Sequence, residues 1–237
     1  VINIRYVPLS NTWNALMKRL VDIFGSIFCI ILFSPVMLFA AVGTRVTSKG
    51  PIIYRQTRIG LHSKPFTMYK FRTMCPDAEQ KLKNLMERNE KDGPVFKMKN
   101  DPRITRVGKF LRKTSIDELP QLINILRGDM SFIGPRPERP EIIAQYTEVM
   151  PEFAFRMKVK AGLAGFAQVY GKYNTSPYDK LKLDLTYIEN YSVWLDLKLM
   201  LLTLKVLFWP DSTEGVESEQ VTAFKAEYDG RAEKDDN

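Results

Sequence analysis

The chain has 237 residues, 45% of them hydrophobic, and a formal charge of +8, which suits one substantial domain with a polyanionic partner. Two cysteines and a single histidine exclude a disulfide framework, a Cys-type zinc site and a His-based triad. GxGxxG, GxxxxGKS/T and DxD are absent, so the common nucleotide-phosphate motifs are excluded as well.

From Asp211 onward nine acidic residues stand against three basic ones, so the basic excess belongs to the body and the tail reads as solvated chain. A body that basic expects nucleic acid, anionic lipid headgroups or a phosphorylated substrate. Composition does not choose among them.

In chain order, the first element is an apolar run from Ile23 to Thr44 without a charge. As a helix it would reach roughly 33 Å, about a bilayer core, which marks it as a membrane segment rather than a signal peptide. Lys18 and Arg19 precede it, Arg45 and Lys49 follow, and the positive-inside rule draws both flanks to the same side. Pro35 lacks an amide hydrogen and crowds the carbonyl of Ile31, and Ser34 can hydrogen-bond a freed carbonyl. A helix that breaks there and returns, and an ordinary kinked span, both satisfy these facts.

Thr67 to Thr73 reads as a strand after a turn at Lys64 and Pro65, with Lys70 and Arg72 on one face. Two such cations suit either a phosphate or a solvated face. His62, in GLHSKP, reads as a turn residue. Leu82, Leu85 and Met86 predict an amphipathic helix between Asp77 and Lys91. From Lys97 to Lys113 seven basic residues accompany one acid, Asp101, with only Phe110 for base stacking. Phosphate without bases is the better match to that block.

Asp117 and Glu118 then stand side by side in TSIDELPQL. Ser115 and Glu118 have the spacing of a capping box, which would make both acids helix furniture. Pro120 moves the expected helix start to about Asp117, the stripe Leu119, Leu122, Ile123 and Leu126 anchors it, and Gly128 ends it. The alternative is chemical: an ionised carboxylate attacks phosphorus while its neighbour holds a magnesium ion on phosphate oxygens. Like charges near 4 Å repel by about 4 kcal/mol at an effective dielectric of 20, so cations must offset them. Arg112 and Lys113 lie upstream for that purpose, and the GPRPERP turn brings Arg136 and Arg139.

KRLVDIFGS followed by FSP, then QTRIG, KFRTM, TSIDELPQLINILRGDMSFIGPRP, VKAGLAGFAQVYGK and LDLTYIENYS resemble the bacterial sugar transferases. These are monotopic polyprenyl-phosphate phosphoglycosyl transferases that start capsule, exopolysaccharide and O-antigen assembly, and the match runs in order from Lys18 to Trp209. The resemblance implies an α+β, mostly helical, monotopic membrane protein in the bacterial inner membrane. It divides the chain into a lead-in (1–17), a re-entrant membrane helix (18–45) turning at Ser34 and Pro35, a small cytoplasmic catalytic domain with amphipathic interfacial helices (46–210), and an acidic tail (211–237).

The resemblance also implies an activity. Asp117 attacks the sugar-bearing phosphate of a UDP-sugar, UMP leaves, and undecaprenyl phosphate takes up the phosphosugar, with Glu118 as ligand of Mg2+. Lys70, Arg112, Arg136 and Asp184 carry over as substrate-site residues, beside Arg72 from the strand reading. Lys172 stands where many members have an arginine, a point charge for a planar fork, and Ala161 replaces a turn proline. For Asp184, an exposed i, i+4 pair with Lys180 is the structural alternative. The implied partners are a UDP-sugar, undecaprenyl phosphate and inner-membrane lipids, with no nucleic acid, and a homo-oligomer is compatible.

Ser192 to Trp209 is nearly all apolar with Trp at each end, and reads as an interfacial helix or a core helix beneath the site. Two rival functions stand beside the enzyme: a membrane-tethered nucleic-acid binder using the 97–113 cluster, and a non-catalytic scaffold of a polysaccharide assembly complex. Val1 is not a start methionine, and larger relatives carry more chain in front, so a catalytic fragment is expected as readily as a whole protein. The residues do not name the sugar.

Overall fold

The computed structural model describes residues 6–85, 98, 101–171 and 176–208, the side chains of 82–85 and 206–208 excepted. Lys172, Lys97, Lys99, Met86 and the acidic tail fall outside them. The described chain is α+β and mostly helical, with two small two-stranded sheets.

Helix α1 (Thr12–Thr47) opens on Asn11, whose side chain accepts from the amide of Trp13. It is longer than the segment 18–45 that the resemblance implies, and it does not divide at Pro35. The reason lies next door. Proline cannot donate to the carbonyl of Ile31, and Ser34 Oγ donates to that oxygen instead, at 2.8 Å.

The burial of α1 is inverted relative to a soluble amphipathic helix. Its buried positions are Lys18, Asp22, Ser26, Ala40 and Thr44, on one stripe facing the rest of the protein. Phe24, Phe28, Ile31, Leu38, Phe39 and Val46 point outward. An apolar face of this length is what lipid, not water, covers. The helix passes the length and hydropathy test for crossing a membrane.

Both ends of α1 are tied to the same body. At its start, Lys18 Nζ donates to the carbonyl of Ile133 (3.0 Å) and to Tyr187 Oη (3.1 Å), and forms an ion pair with Asp196. Arg19 donates to the carbonyls of Ile125 and Leu126, both at 2.7 Å. At its end, Met37, Ala40 and Ala41 pack with Phe71, Leu111 and Ile116.

Strands β1 (Ile53–Ile59) and β2 (Pro65–Phe71) form an antiparallel hairpin with Ile53 opposite Phe71. Helices α2 (Ala78–Leu85) and α3 (Arg106–Lys113) follow, α3 capped by Thr105 Oγ1 on the amide of Gly108. A 3-10 turn (Ile116–Glu118) leads into α4 (Gln121–Arg127), which stops at Gly128 with φ of 96°, the left-handed value glycine supplies. The core-facing residues of α4 are Leu122 and Ile125, both within a few per cent of full burial, while Ile123 of the expected stripe is 38% exposed.

Strand β3 (Met130–Ile133) pairs in parallel with β4 (Ala161–Ala164) across α5 (Pro140–Val149) and a 3-10 segment (Pro151–Lys158). Ala161, expected in a turn, is therefore the first residue of β4 and is buried. Gly162 has to be glycine: a Cβ there would lie 2.1 Å from the amide nitrogen of Gly134.

Helices α6 (Phe166–Tyr170), α7 (Pro177–Glu189) and α8 (Val193–Phe208) complete the fold. Helix α8 has a buried side and an exposed apolar side. Asp196 and Leu199 are buried in the core, while Trp194, Leu197, Leu201 and Leu204 form an exposed apolar row at helical spacing.

Candidate active site

The acidic pair lies where α3 turns back into α4. Ser115 makes that reversal in the left-handed region (φ 56°, ψ 14°), and the dyad follows on the 3-10 turn. The capping box is not formed: the Ser115 side chain makes no cap hydrogen bond, and the acids precede α4 rather than opening it. The left-handed backbone at Ser115 is incompatible with the extended backbone an N-cap serine needs.

Asn124, fully buried on α4, sets what faces the dyad. It accepts from the amide of Tyr69 (3.1 Å) and donates to the carbonyl of Thr67 (2.7 Å), stitching the helix to the free edge of β2. With that register held, Lys70 reaches Glu118 Oε1 at 2.6 Å. Arg136 reaches the same oxygen at 3.2 Å from the other side.

Arg136 is delivered by a loop pinned at successive carbonyls. Arg156 Nη2 donates to the carbonyl of Arg136 itself (3.0 Å), Arg58 Nη1 to that of Pro137 (3.1 Å), and the amide of Gly162 to that of Pro135 (3.0 Å). Arg156 is held in turn by Asp184, Nε to Oδ2 at 2.7 Å, with its guanidinium over the ring of Phe153.

The two carboxylates are electrostatically unlike. Burial works against ionisation of Glu118, but the Arg136 guanidinium and the Lys70 ammonium outweigh it and hold its carboxyl down to about 2. Burial pushes the carboxyl of Asp117 up, the charge of Glu118 adds to the push, and Lys70 and Arg112 oppose it. Environments that drive two neighbouring acids apart suit two different roles.

Four of the expected residues thus meet at the dyad: Lys70 and Arg136 by contact, Asp117 and Glu118 as its members. Arg112 acts on Asp117 through its charge while its Nε donates to Thr73 Oγ1 at 2.8 Å. Arg72 is not brought there. It lies one residue past the end of β2, and its guanidinium donates to the carbonyl of Ser48 at 2.7 Å, tying β2 to the end of α1. Asp184 is also turned away from the dyad. It is 2% exposed, so it does not stand on a solvated helix face, and it meets the Arg136 loop through Arg156.

Sequence reasoning missed Arg58, Gln121 and Arg156. Arg58 and Gln121 stand inside QTRIG and DELPQL and line, with Met68, Lys70, Glu118, Arg136 and Leu163, a small pocket beside the dyad. Arg156 had no local signal, since its partners lie 20 and 28 residues away.

Because Arg156 is buried and its charge is balanced by Asp184, Asp184→Asn should loosen the Arg136 loop. A displacement of about 1 Å near reacting groups lowers rate about a hundredfold. The expected result is a fall of that order in kcat/KM, with the wild-type value in an Asp179→Asn control on the exposed face of α7. Equal kinetics in both variants would show that the loop does not depend on the buried pair.

No three Asp, Glu, His or Cys side chains converge on a metal position among the described residues. A magnesium ion held by one or two carboxylates and completed by substrate phosphates would not need such a cluster. Both cations contact Oε1 of Glu118, the carboxylate that would hold such an ion.

The structure thus brings together an acidic dyad with two cations on Glu118, in a chain whose longest helix turns an apolar face outward. The chain belongs to the bacterial sugar transferase family, whose model matches residues 13–210. It is 42% identical over 195 residues to the galactosyl transferase CpsE of Streptococcus agalactiae, covering 82% of this chain and 42% of that protein. It is 43% identical over 199 residues to the UDP-glucose:undecaprenyl-phosphate glucose-1-phosphate transferase of Klebsiella pneumoniae, covering 82% of this chain and 40% of that one. Against the uncharacterized sugar transferase EpsL of Bacillus subtilis it is 40% identical over 210 residues, covering 88% of this chain and 94% of the relative. The chain therefore spans less than half the length of the first two relatives and nearly all of the third.

Proposed function

We propose that the protein transfers a sugar-1-phosphate from a UDP-sugar to undecaprenyl phosphate, as the first membrane step of a surface polysaccharide. The observation that carries this reading is the pairing of Lys70 and Arg136 on Glu118 next to the buried Asp117. Family membership and the names of its relatives support it.

In the proposed mechanism an Asp117 oxygen attacks the sugar-bearing phosphorus of the UDP-sugar. The bond from that phosphorus to the bridging oxygen breaks, and UMP leaves with the electron pair. The product is an acyl phosphate that carries the sugar on the protein. A phosphate oxygen of undecaprenyl phosphate then attacks the same phosphorus, the acyl bond breaks, and the carboxylate of Asp117 is restored. Glu118 would hold magnesium, which when bound neutralises charge on the diphosphate. Lys70, Arg112 and Arg136 hold phosphate oxygens in line for attack.

The membrane arrangement we infer is monotopic. Helix α1 enters and leaves by the same face of the inner membrane, with the catalytic domain in the cytoplasm. The docking of both α1 ends on one domain supports it, as do the outward apolar rows of α1 and α8.

The reading is tested by UMP release from a panel of UDP-sugars with undecaprenyl phosphate and magnesium. Release with one sugar, dependent on the lipid for turnover, is the expected result, and silence across the panel would leave a scaffold. Single cysteines near residue 10 and residue 49 should both be shielded from a periplasmic thiol reagent. Labelling of either one alone would mean that α1 spans the bilayer.

A further inference from the structure

We infer that Gln121 binds the donor substrate directly, through an uncharged hydrogen bond from its side-chain amide in the pocket beside Glu118. The inference rests on the transferase reading above and adds to it the residue that recognises an uncharged part of the substrate.

Gln121 is 2% exposed, and its Nε2 has no hydrogen-bond partner. A buried amide left unpaired is destabilising, and native structures keep few such groups without a use. This one lines the dyad pocket, one turn beyond Glu118 on the same stretch of chain. Either orientation of the amide presents a hydrogen-bonding group.

The surrounding residues indicate what it binds. The other polar side chains of that wall are charged: Arg58, Lys70, Arg136 and Glu118. The cations match a diphosphate, and a phosphate oxygen gains more from them than from a neutral amide. Gln121 is the uncharged polar side chain of a lining that also includes Met68 and Leu163. An amide complements a neutral partner that both donates and accepts, a hydroxyl or an imide. A UDP-sugar offers these in two places, its uridine and its hexose.

The experiment compares the full chain in detergent micelles with Gln121→Met, which keeps side-chain length and removes hydrogen bonding, and with Gln121→Asn, which withdraws the amide by one methylene. One neutral hydrogen bond is worth about three- to tenfold in binding. KM for the UDP-sugar should rise by that factor in both variants, with a smaller effect on kcat. The thermal midpoint of Gln121→Met without substrate should equal or exceed the parent's, because an unpaired buried amide has been replaced by an apolar group. UMP inhibition locates the contact: a Ki that weakens in step with KM places it on uridine, and an unchanged Ki places it on the hexose. An unchanged KM in both variants overturns the inference. So does a rise in KM that accompanies a fall in thermal midpoint for Gln121→Met, the mark of an amide that serves the fold. A parent that releases no UMP from any UDP-sugar sinks the transferase reading, and this inference with it, before the variants are compared.

Discussion

Asp117→Asn should lower turnover by about 10^4-fold or more, because removing a nucleophile closes a pathway rather than weakening a contact. With the sugar of the UDP-sugar labelled and the lipid withheld, the parent should retain label on the protein in a bond cleaved by hydroxylamine, and Asp117→Asn should retain none. Glu118→Gln should keep the attacking group and so keep some labelling, with turnover and magnesium dependence both weakened. Its effect has a second source, since Lys70 and Arg136 would lose the carboxylate that pairs them. The pH profile adds an independent readout. Attack needs an ionised Asp117, and burial with the neighbouring charge pushes its carboxyl above 3.8. On the acid side kcat/KM should therefore rise with pH through an apparent value above the ordinary aspartate range, a value that belongs to the coupled dyad. If the acids were only a helix cap, Asp117→Asn would cost a few tenths of a kcal/mol and leave activity nearly intact. An active, unlabelled Asp117→Asn protein would refute covalent transfer.

How much of this site could be read from the chain depends on how local each cause is. Adjacent acids, flanking basic residues and a stop at Gly128 are properties of short windows, and the structure has Gly128 in the left-handed conformation expected of it. The face of α4 was less legible, because a 3-10 turn precedes the helix and shifts the phase that places Ile125 rather than Ile123 in the core. Alternation along a strand put Lys70 and Arg72 on one face, but β2 ends at Phe71, and Arg72 follows the connection to α1 instead. The inverted burial of α1 was half legible. Its apolar run pointed to lipid, whereas Lys18 and Asp22 meet partners more than a hundred residues away, Ile133 and Ser131. Arg156 was invisible for the same reason, and Asp184, named from the resemblance, gave no sign of its partner: an ion pair across 28 residues has no signature in either segment.

That long-range burial makes Lys18→Met the largest expected loss of stability. Lys18 lies at the junction of α1, β3, α7 and α8, with Asp196, Tyr187 and the carbonyl of Ile133 around its ammonium and the ring of Tyr191 5.3 Å away. Breaking a buried ion pair by removing one partner costs about 3–5 kcal/mol, because the other charge is left buried and unpaired. For a chain of this size that lowers the thermal midpoint by roughly 6–20 °C, measurable in detergent. Burial raises the carboxyl of Asp196 even against the pull of Lys18. Without Lys18 it should take up a proton more readily in the folded than in the unfolded state, so the deficit should shrink as pH falls toward the unfolded value near 3.8. A second substitution, Asp196→Leu, should recover much of the loss by removing the stranded charge, and the double-mutant cycle measures the coupling. Labelling of Asp117 by the UDP-sugar at low temperature should survive in the double variant, since the pair holds α1 to the domain and does not touch the dyad. A midpoint shift in Lys18→Met no larger than that of an exposed control such as Lys109→Met would show that the junction does not hold α1 in place.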